Sequence, residues 1–260
     1  MLAAFDWEAN SRVIEGPGGG FEGAVLVSSR PASAGTIAIV EASATEHSPD
    51  VLNDLTRWGL GLAKAAGAAT AMVWRGRGHT HGLDRLGLEL VRPWWRMDRS
   101  LAGEPVAPGA VAGYTLHDAR SIPHEKWVAA HNLSFADHWR FTPRTEDELM
   151  AGRPADLSLM AVAPGGAPAA LTLSQVENYQ VDPRPQPVGI ISSVGTLPEH
   201  RRRGLATWLV AESVVRLHRG GARHASLYVD GRSTMQAFDV YSKLDFEVVF
   251  ETEVWEARFQ

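Results

Sequence analysis

The strongest constraint on the fold of this chain is that it echoes itself. Gly67 to Trp74 reads GAATAMVW, and Gly221 to Tyr228, 154 positions on, reads GARHASLY. Leu86 to Val91 reads LGLELV, and Leu244 to Val249, 158 positions on, reads LDFEVV. Two matches in one order, each preceded by a helical pattern, mark a degenerate duplication, so the chain builds one supersecondary unit twice. The helical patterns are Val51, Leu55, Trp58, Leu62 and Ala65 in the first half and Ala206, Leu209, Val210, Val214 and Leu217 in the second. Steps of three and four put each set on one helix face, where core packing is its ordinary use.

Between the copies, Leu101 to Ala110 (LAGEPVAPGA) has the Gly, Pro and Ala of a linker and no periodicity. The expected division is residues 1–100, a linker at 101–110, and 111–260. In the second half, strands are expected at Gly113 to Leu116, at a hairpin of Leu157 to Ala163 with Ala169 to Val176, and at Val188 to Leu197. One or two helices fill Pro123 to Met150. A helix from Gly204, a strand at Ala225 to Val229, a short helix at Thr234 to Leu244 and a long strand from Phe246 complete it. The class is α+β, mixed α/β in the sense that strands and helices intermingle without a strict βαβ alternation.

Composition narrows the chemistry. The net charge of −5 and pI near 6 are wrong for a polyanion-binding protein, so no nucleic-acid partner is expected. Lys64, Lys126 and Lys243 are the only lysines among 25 basic residues. There is no cysteine, which excludes disulfides, thiolate nucleophiles and Cys-ligated metals. MLAAFDWEAN is not a signal peptide and no 18-residue apolar run occurs, so no membrane partner and a cytoplasmic location are expected.

The informative stretch is Val194 to Thr207, VGTLPEHRRRGLAT. A strand runs into Pro198, a basic turn follows, then Gly204 and a helix. Helix N-termini leave backbone N–H groups unpaired at the positive end of the macrodipole, which suits phosphate oxygens. Gly204 lets the backbone approach a ligand, Ala206 keeps the first turn thin, and Arg201, Arg202 and Arg203 add positive charge. A solvated basic turn joining strand to helix gives the same pattern. It is not a phosphate-binding loop of the Gly-Lys-Ser/Thr kind, nor a Gly-x-Gly-x-x-Gly turn.

Arg201-Arg202-Arg203-Gly204-Leu205-Ala206 resembles the R/Q-x-x-G-x-G/A signature of the GNAT acetyltransferase superfamily, in that family's setting between strand and helix. Thr234 to Phe246 (TMQAFDVYSKLDF) resembles its second motif: Ala237, Tyr241 and Phe246 match, while Thr234 stands for the usual Asn and Asp245 for the usual Gly. With the duplication and the run Phe135 to Glu148, the chain resembles the tandem group that includes mycothiol synthase. The resemblance implies a tandem GNAT fold, a degenerate first half before a complete second one. It implies acetyl-CoA as co-substrate, no metal, and a small-molecule amine as acceptor, in a monomer or homodimer.

The resemblance also implies roles. Val194, Gly195 and Thr196 would bind the pantetheine arm as an added strand and polarise the thioester carbonyl. The amides from Arg202 through Thr207 would cradle the pyrophosphate, with Arg201, Thr234 and Ala237 in the same cofactor set. Tyr241 would protonate the departing thiolate; a buried core tyrosine gives the same pattern. Many relatives keep a carboxylate in the strand before Val194, where this chain has Ser192 and Ser193, so Glu177 is the candidate base. His138 and Asp137, beside Trp139, are candidate acceptor-pocket residues.

At the 154 offset the phosphate turn falls on His47-Ser48-Pro49-Asp50. Proline removes a donor and aspartate repels phosphate, so Asp50 reads better as a helix cap and the first half as structural. Three functions stay open: an amine acetyltransferase, a transferase of another acyl donor, and a CoA-binding module without turnover.

Overall fold

The computed structural model describes residues 6–16, 18–32, 35–45, 49–178, 184–232 and 237–259. They form two compact units, and the units are not divided at 101–110. The first comprises residues 1–94, 230–232 and 250–260; the second comprises 95–229 and 233–249.

The first unit runs α1 (Trp7–Asn10), β1 (Ser11–Glu15), β2 (Phe21–Ala32), β3 (Gly35–Ala44), α2 (Pro49–Ala65) and β4 (Thr70–Gly76). The start of β5 (Glu89–Ser100) and most of β11 (Glu247–Arg258) complete it. Its strand order is β1-β2-β3-β4-β11. β3 and β4 are parallel, and β11 lies antiparallel to β4 from Thr70↔Arg258 to Gly76↔Thr252. α2 begins at Pro49 and holds Asp50 inside its first turn, so Asp50 is not the cap expected of it. The helix buries Leu55, Thr56, Leu60 and Ala63, whereas Ala65 of the expected stripe is exposed. Gly59 allows that approach: a Cβ there would lie 2.6 Å from Val40 Cγ1.

The second unit begins with the remainder of β5. It continues through β6 (Thr115–Asp118), α3 (His124–Phe135), α4 (Glu146–Met150), β7 (Leu159–Val162), β8 (Pro168–Glu177) and β9 (Val188–Thr196). α5 (Leu205–Arg219), β10 (His224–Asp230) and α6 (Ala237–Ser242) follow. Its strand order is β5-β10-β9-β8-β7-β6. The duplication is visible in both connectivity and pairing: β3-α2-β4 matches β9-α5-β10, and each pair of strands is parallel. Each unit then closes with the strand that follows the other copy's LGLELV-like segment, β11 beside β4 and β5 beside β10. That exchange is why a cut in the loop at 101–110 does not separate the units.

α5 buries Leu205, Trp208, Leu209, Val210, Ser213, Val214 and Leu217. Each fully buried leucine contributes about 1.5–3 kcal/mol. Its end is specified by Arg216, His218 and Arg219 in the last turn, which complement the dipole, and by Gly221 at φ 86° just beyond.

Candidate active site

β9 and β10 pair in parallel only from Val188↔His224 to Ile191↔Leu227, yet β9 runs on to Thr196 and β10 to Asp230. On its other side β9 stays paired with β8 as far as Thr196↔Ala170. The divergence coincides with a bulge: Leu173 faces Ser193, Ser174 faces Ile191, and Ser192 is the extra residue. Ser192 Oγ donates to Leu173 O at 3.1 Å and accepts from Arg153 Nη1 at 3.0 Å, which pins the bulge. The strands thus open a wedge, and Ser192 to Thr196 turn one row of backbone groups toward it without a strand partner. Val194, Gly195 and Thr196 all lie on this open stretch. Gly195 is needed for a second reason, because a Cβ there would fall on Ser134 Oγ of α3.

The wedge ends at the basic turn. Arg202 (φ 62°) and Gly204 (φ 81°) are left-handed, a conformation that turns successive N–H groups toward one concavity. Gly204 caps α5 without any side-chain hydrogen bond, and a Cβ on it would meet nothing within 4 Å. The first amides of α5, from Leu205 through Thr207, therefore have no side-chain cap and no partner within the helix. The three arginines differ. Arg201 is committed to α3 and the turn: it donates to Asp137 at 2.7 and 3.1 Å, to Ser134 O at 3.1 Å and to Thr196 O at 3.2 Å. Its guanidinium holds the Asp137 carboxyl below the usual range. Arg203 donates to Tyr114 Oη and Glu199 O, both at 3.1 Å. Arg202 is exposed and has no hydrogen bond or ion pair among the described residues.

Tyr241 is buried in the cluster that contains Val210, Val214, Val229 and Phe246, with Val194 and Ala237 packed against it. The tyrosine thus lies on the face of β9 to which Val194 points. Burial pushes its phenol above the ordinary pKa, so it stays protonated. Thr234 lies outside the described residues. Glu177 is not brought to this place. It pairs with Val188 at the start of β9, six residues from Val194 and about 20 Å along an extended strand. Its carboxylate accepts from Gln175 Nε2. Asp137 is held by Arg201 and so is an anchor before it is a pocket residue.

His131 carried no signal in the sequence, being one histidine in an unpatterned helix. It is 6% exposed, stacks on Phe135 at 4.6 Å, and places Nε2 3.4 Å from Ser193 Oγ. Burial, with smaller contributions from the charges of Arg144 and Arg153, lowers its pKa to about 4. An unfolded histidine titrates near 6.5, so between those values the unfolded chain binds a proton that the folded chain refuses. Stability is therefore full above about pH 6.5 and falls as pH drops toward 4, by about 3 kcal/mol from this residue. Denaturant unfolding of wild type and His131→Asn at pH 7 and pH 4.5 measures it: the variant should lose less on acidification, and parallel losses would refute the assignment.

The first unit has the same wedge and has filled it. β3 and β4 pair from Ile37↔Thr70 to Val40↔Val73 and then part, although β3 continues to Ala44 and β4 to Gly76. Arg75 lies across the gap, 3% exposed. It donates to Ala42 O of β3 at 3.1 Å, to Leu52 O of α2 at 3.0 Å and to Thr56 Oγ1. Among the described residues no carboxylate is paired with it, and desolvation lowers its pKa to about 10. At the 154 offset the matching residue of β10 is Val229, which leaves the second wedge open.

Among the described residues no helix is long and apolar enough to cross a membrane, and no group of three His, Asp or Glu side chains is placed to hold a metal ion. The family model for FR47-like proteins matches residues 184–255, which span β9, the turn, α5, β10, α6 and most of β11. The chain is 32% identical over 165 residues to a mycothiol acetyltransferase of Catenulispora acidiphila, covering 62% of this chain and 52% of the relative. It is 28% identical over 169 residues to one of Kytococcus sedentarius, covering 60% and 54%. The chain thus spans about half the length of the curated relatives it matches. A GCN5-related N-acetyltransferase from Sphaerobacter thermophilus superposes with TM-score 0.81 at 21% identity, over 97% of this chain and 83% of that one. A tandem GNAT protein from the clavulanic acid biosynthesis pathway superposes with TM-score 0.65 at 16% identity, over 96% and 83%. The chain has the tandem GNAT fold, with an FR47-like segment in its second half.

Proposed function

We propose that this chain is an acetyl-CoA-dependent N-acetyltransferase that moves the acetyl group to a primary amine of a small molecule by direct attack on the thioester. The observation that carries this is the open wedge between β9 and β10, which leads into a turn of uncapped amides and has Tyr241 against it. An extended pantetheine amide chain would add to β9 along Ser192 to Thr196, as a strand adds to a sheet edge. The pyrophosphate would rest on the amides of Arg202 through Thr207, with Arg202 supplying mobile positive charge. A backbone N–H near Val194 would stabilise the oxyanion, a contribution of about 3 kcal/mol. The amine nitrogen forms its bond to the acetyl carbon, the carbon–sulfur bond breaks, and the sulfur takes a proton from Tyr241. The curated relatives named mycothiol acetyltransferase, and the FR47-like match across the wedge, turn and α6, support this reading over a binding module without turnover.

Incubation with acetyl-CoA and a panel of primary amines, read by mass spectrometry for a gain of one acetyl group, tests it. Failure to bind acetyl-CoA at all would dismiss it. The phosphate turn has its own test in Gly204→Glu. Open space around Gly204 means that the fold survives, at about 1–2 kcal/mol for a left-handed non-glycine residue. Acetyl-CoA affinity should nevertheless disappear, and calorimetry on the folded variant showing wild-type affinity would remove the turn from the site.

A further inference from the structure

The reaction needs two proton movements, and only one has a group assigned so far. The departing sulfur is served by Tyr241. The attacking nitrogen must lose a proton, and Glu177 is out of reach. The groups on the opposite face of the open β9 segment are therefore decisive.

Successive residues of a strand point to opposite faces. Val194 packs against the core cluster that holds Tyr241, and Ser193 is on the other face, toward α3. There Ser193 Oγ lies 3.4 Å from Nε2 of His131. The imidazole is fixed by stacking on Phe135 at 4.6 Å and by a tilted contact with Phe141 at 6.2 Å. Its Nδ1 faces Asn132 Oδ1 at 3.5 Å, an acceptor that favours the Nδ1–H tautomer and leaves Nε2 with its lone pair. We propose that Ser193 and His131 form the proton-accepting relay for the attacking amine. This rests on the transferase reading above and names the residues that would complete it.

The step balances. The amine nitrogen bonds to the acetyl carbon and passes its proton to Ser193 Oγ. Ser193 passes its own hydroxyl proton to His131 Nε2. The carbon–sulfur bond breaks and the sulfur receives the proton of Tyr241. After the amide and CoA leave, His131 returns its extra proton to solvent and the Tyr241 phenolate regains one. Ser193 touches the amine, and His131 acts through it as a positioning and proton-storing residue.

The surroundings keep the imidazole neutral until the step occurs. The cations facing it are Arg144, from the α3–α4 connection, and Arg153, beyond α4. The carboxylates nearby are otherwise engaged: Asp137 is paired with Arg201, and Glu148 with Arg144 and the Thr145 backbone. From β9 the Ser193 hydroxyl faces the imidazole. Burial and these cations lower the His131 pKa to about 4, so Nε2 is an acceptor throughout the neutral range. A transferred proton would be held weakly and released readily.

Side-chain ¹⁵N NMR of the full chain and steady-state kinetics test the relay. In wild type at pH 7, His131 should show an Nδ1–H tautomer with Nε2 as acceptor, unprotonated down to about pH 5, and Ser193→Ala should shift the Nε2 resonance. A His131 already protonated at pH 6, or an Nε2 indifferent to Ser193→Ala, overturns the proposal whether or not an acceptor is known. For kinetics the acceptors are glucosamine and cysteine, each with acetyl-CoA. His131→Gln and Ser193→Ala should each lower kcat about 100-fold or more with the acetyl-CoA KM unchanged. The double variant should lose no more than either single one, because one relay is broken once. Rates in the variants should climb steadily with pH, as hydroxide takes over as acceptor. Wild-type kcat in either variant removes the relay while leaving the transferase standing; no acetyl-CoA binding by wild type removes the transferase itself.

Discussion

Tyr241→Phe is expected to lower kcat by about 10²–10⁴-fold and to leave acetyl-CoA affinity where it was. The substitution deletes one oxygen from a residue that is 6% exposed and packed edge-on against Phe246 at 6.3 Å. The ring, its volume and the cluster around it remain, so the fold and the CoA wedge are preserved. What goes is the proton for the sulfur. Burial raises the phenol's pKa, which by itself makes it a weaker acid toward a thiol whose ordinary pKa is near 8.5. The same desolvation acts on a thiolate formed beside it and raises that group too, so the gap between donor and acceptor narrows at the moment of transfer. The measurement is kcat with saturating acetyl-CoA, beside calorimetry of CoA binding. Undiminished kcat takes Tyr241 out of the mechanism; a matching loss of affinity makes it a packing residue.

The duplication in the sequence foretold the repeated strand–helix–strand core. GAATAMVW and GARHASLY are β4 and β10 with the turns before them, and the two helical stripes are α2 and α5. Periodicity served α5 better than α2, where Gly59 lies close against β3 and Ala65, the helix's last residue, is exposed. The exchange of β5 and β11 had no local signature. A strand's sequence states that one face is buried, not which neighbour it joins, and LAGEPVAPGA looks like a linker wherever the chain leaves the second unit's edge.

The turn before α5, proposed above to hold phosphate, was legible as a turn because its requirements are local: a left-handed glycine, thin first helical positions, a preceding strand. The wedge was not, since it arises from where parallel pairing stops. The arginines show the limit of reading charge from sequence. Three in a row resemble a cationic patch, but Arg201 and Arg203 spend their donors on Asp137, Ser134, Thr196, Tyr114 and Glu199, and only Arg202 stays free of described partners. Glu177 stands on the strand next to β9, and strand membership says nothing about which end of β9 it reaches. His131 becomes visible only when α3 is laid against the bulge at Ser192.

One CoA per chain is the expected stoichiometry, and Arg75 is the main reason. In the first unit the stretch of β3 where a pantetheine strand would add is already hydrogen-bonded: Ala42 O accepts from Arg75, which also takes Leu52 O and Thr56 Oγ1 of α2. A CoA molecule entering there would expel a buried guanidinium and leave these acceptors without it. Asp50 in the first turn of α2 would add repulsion where the pyrophosphate belongs. Truncation reveals the same bonds from the other side. Arg75→Ala removes three hydrogen bonds, although Leu52 O and Thr56 Oγ1 keep the bond between them; at about 0.5–1.5 kcal/mol for each bond lost, unfolding free energy should fall by about 2 kcal/mol. Arg75→Lys should recover little of it, because a single ammonium cannot span β3 and α2 as the forked guanidinium does. Denaturant melts of the two variants read these losses, and calorimetric titration of wild type with CoA reads the stoichiometry. Two tight sites per chain, or an Arg75→Ala variant within about 0.5 kcal/mol of wild type, would show that the first wedge is open and that Arg75 does not seal it.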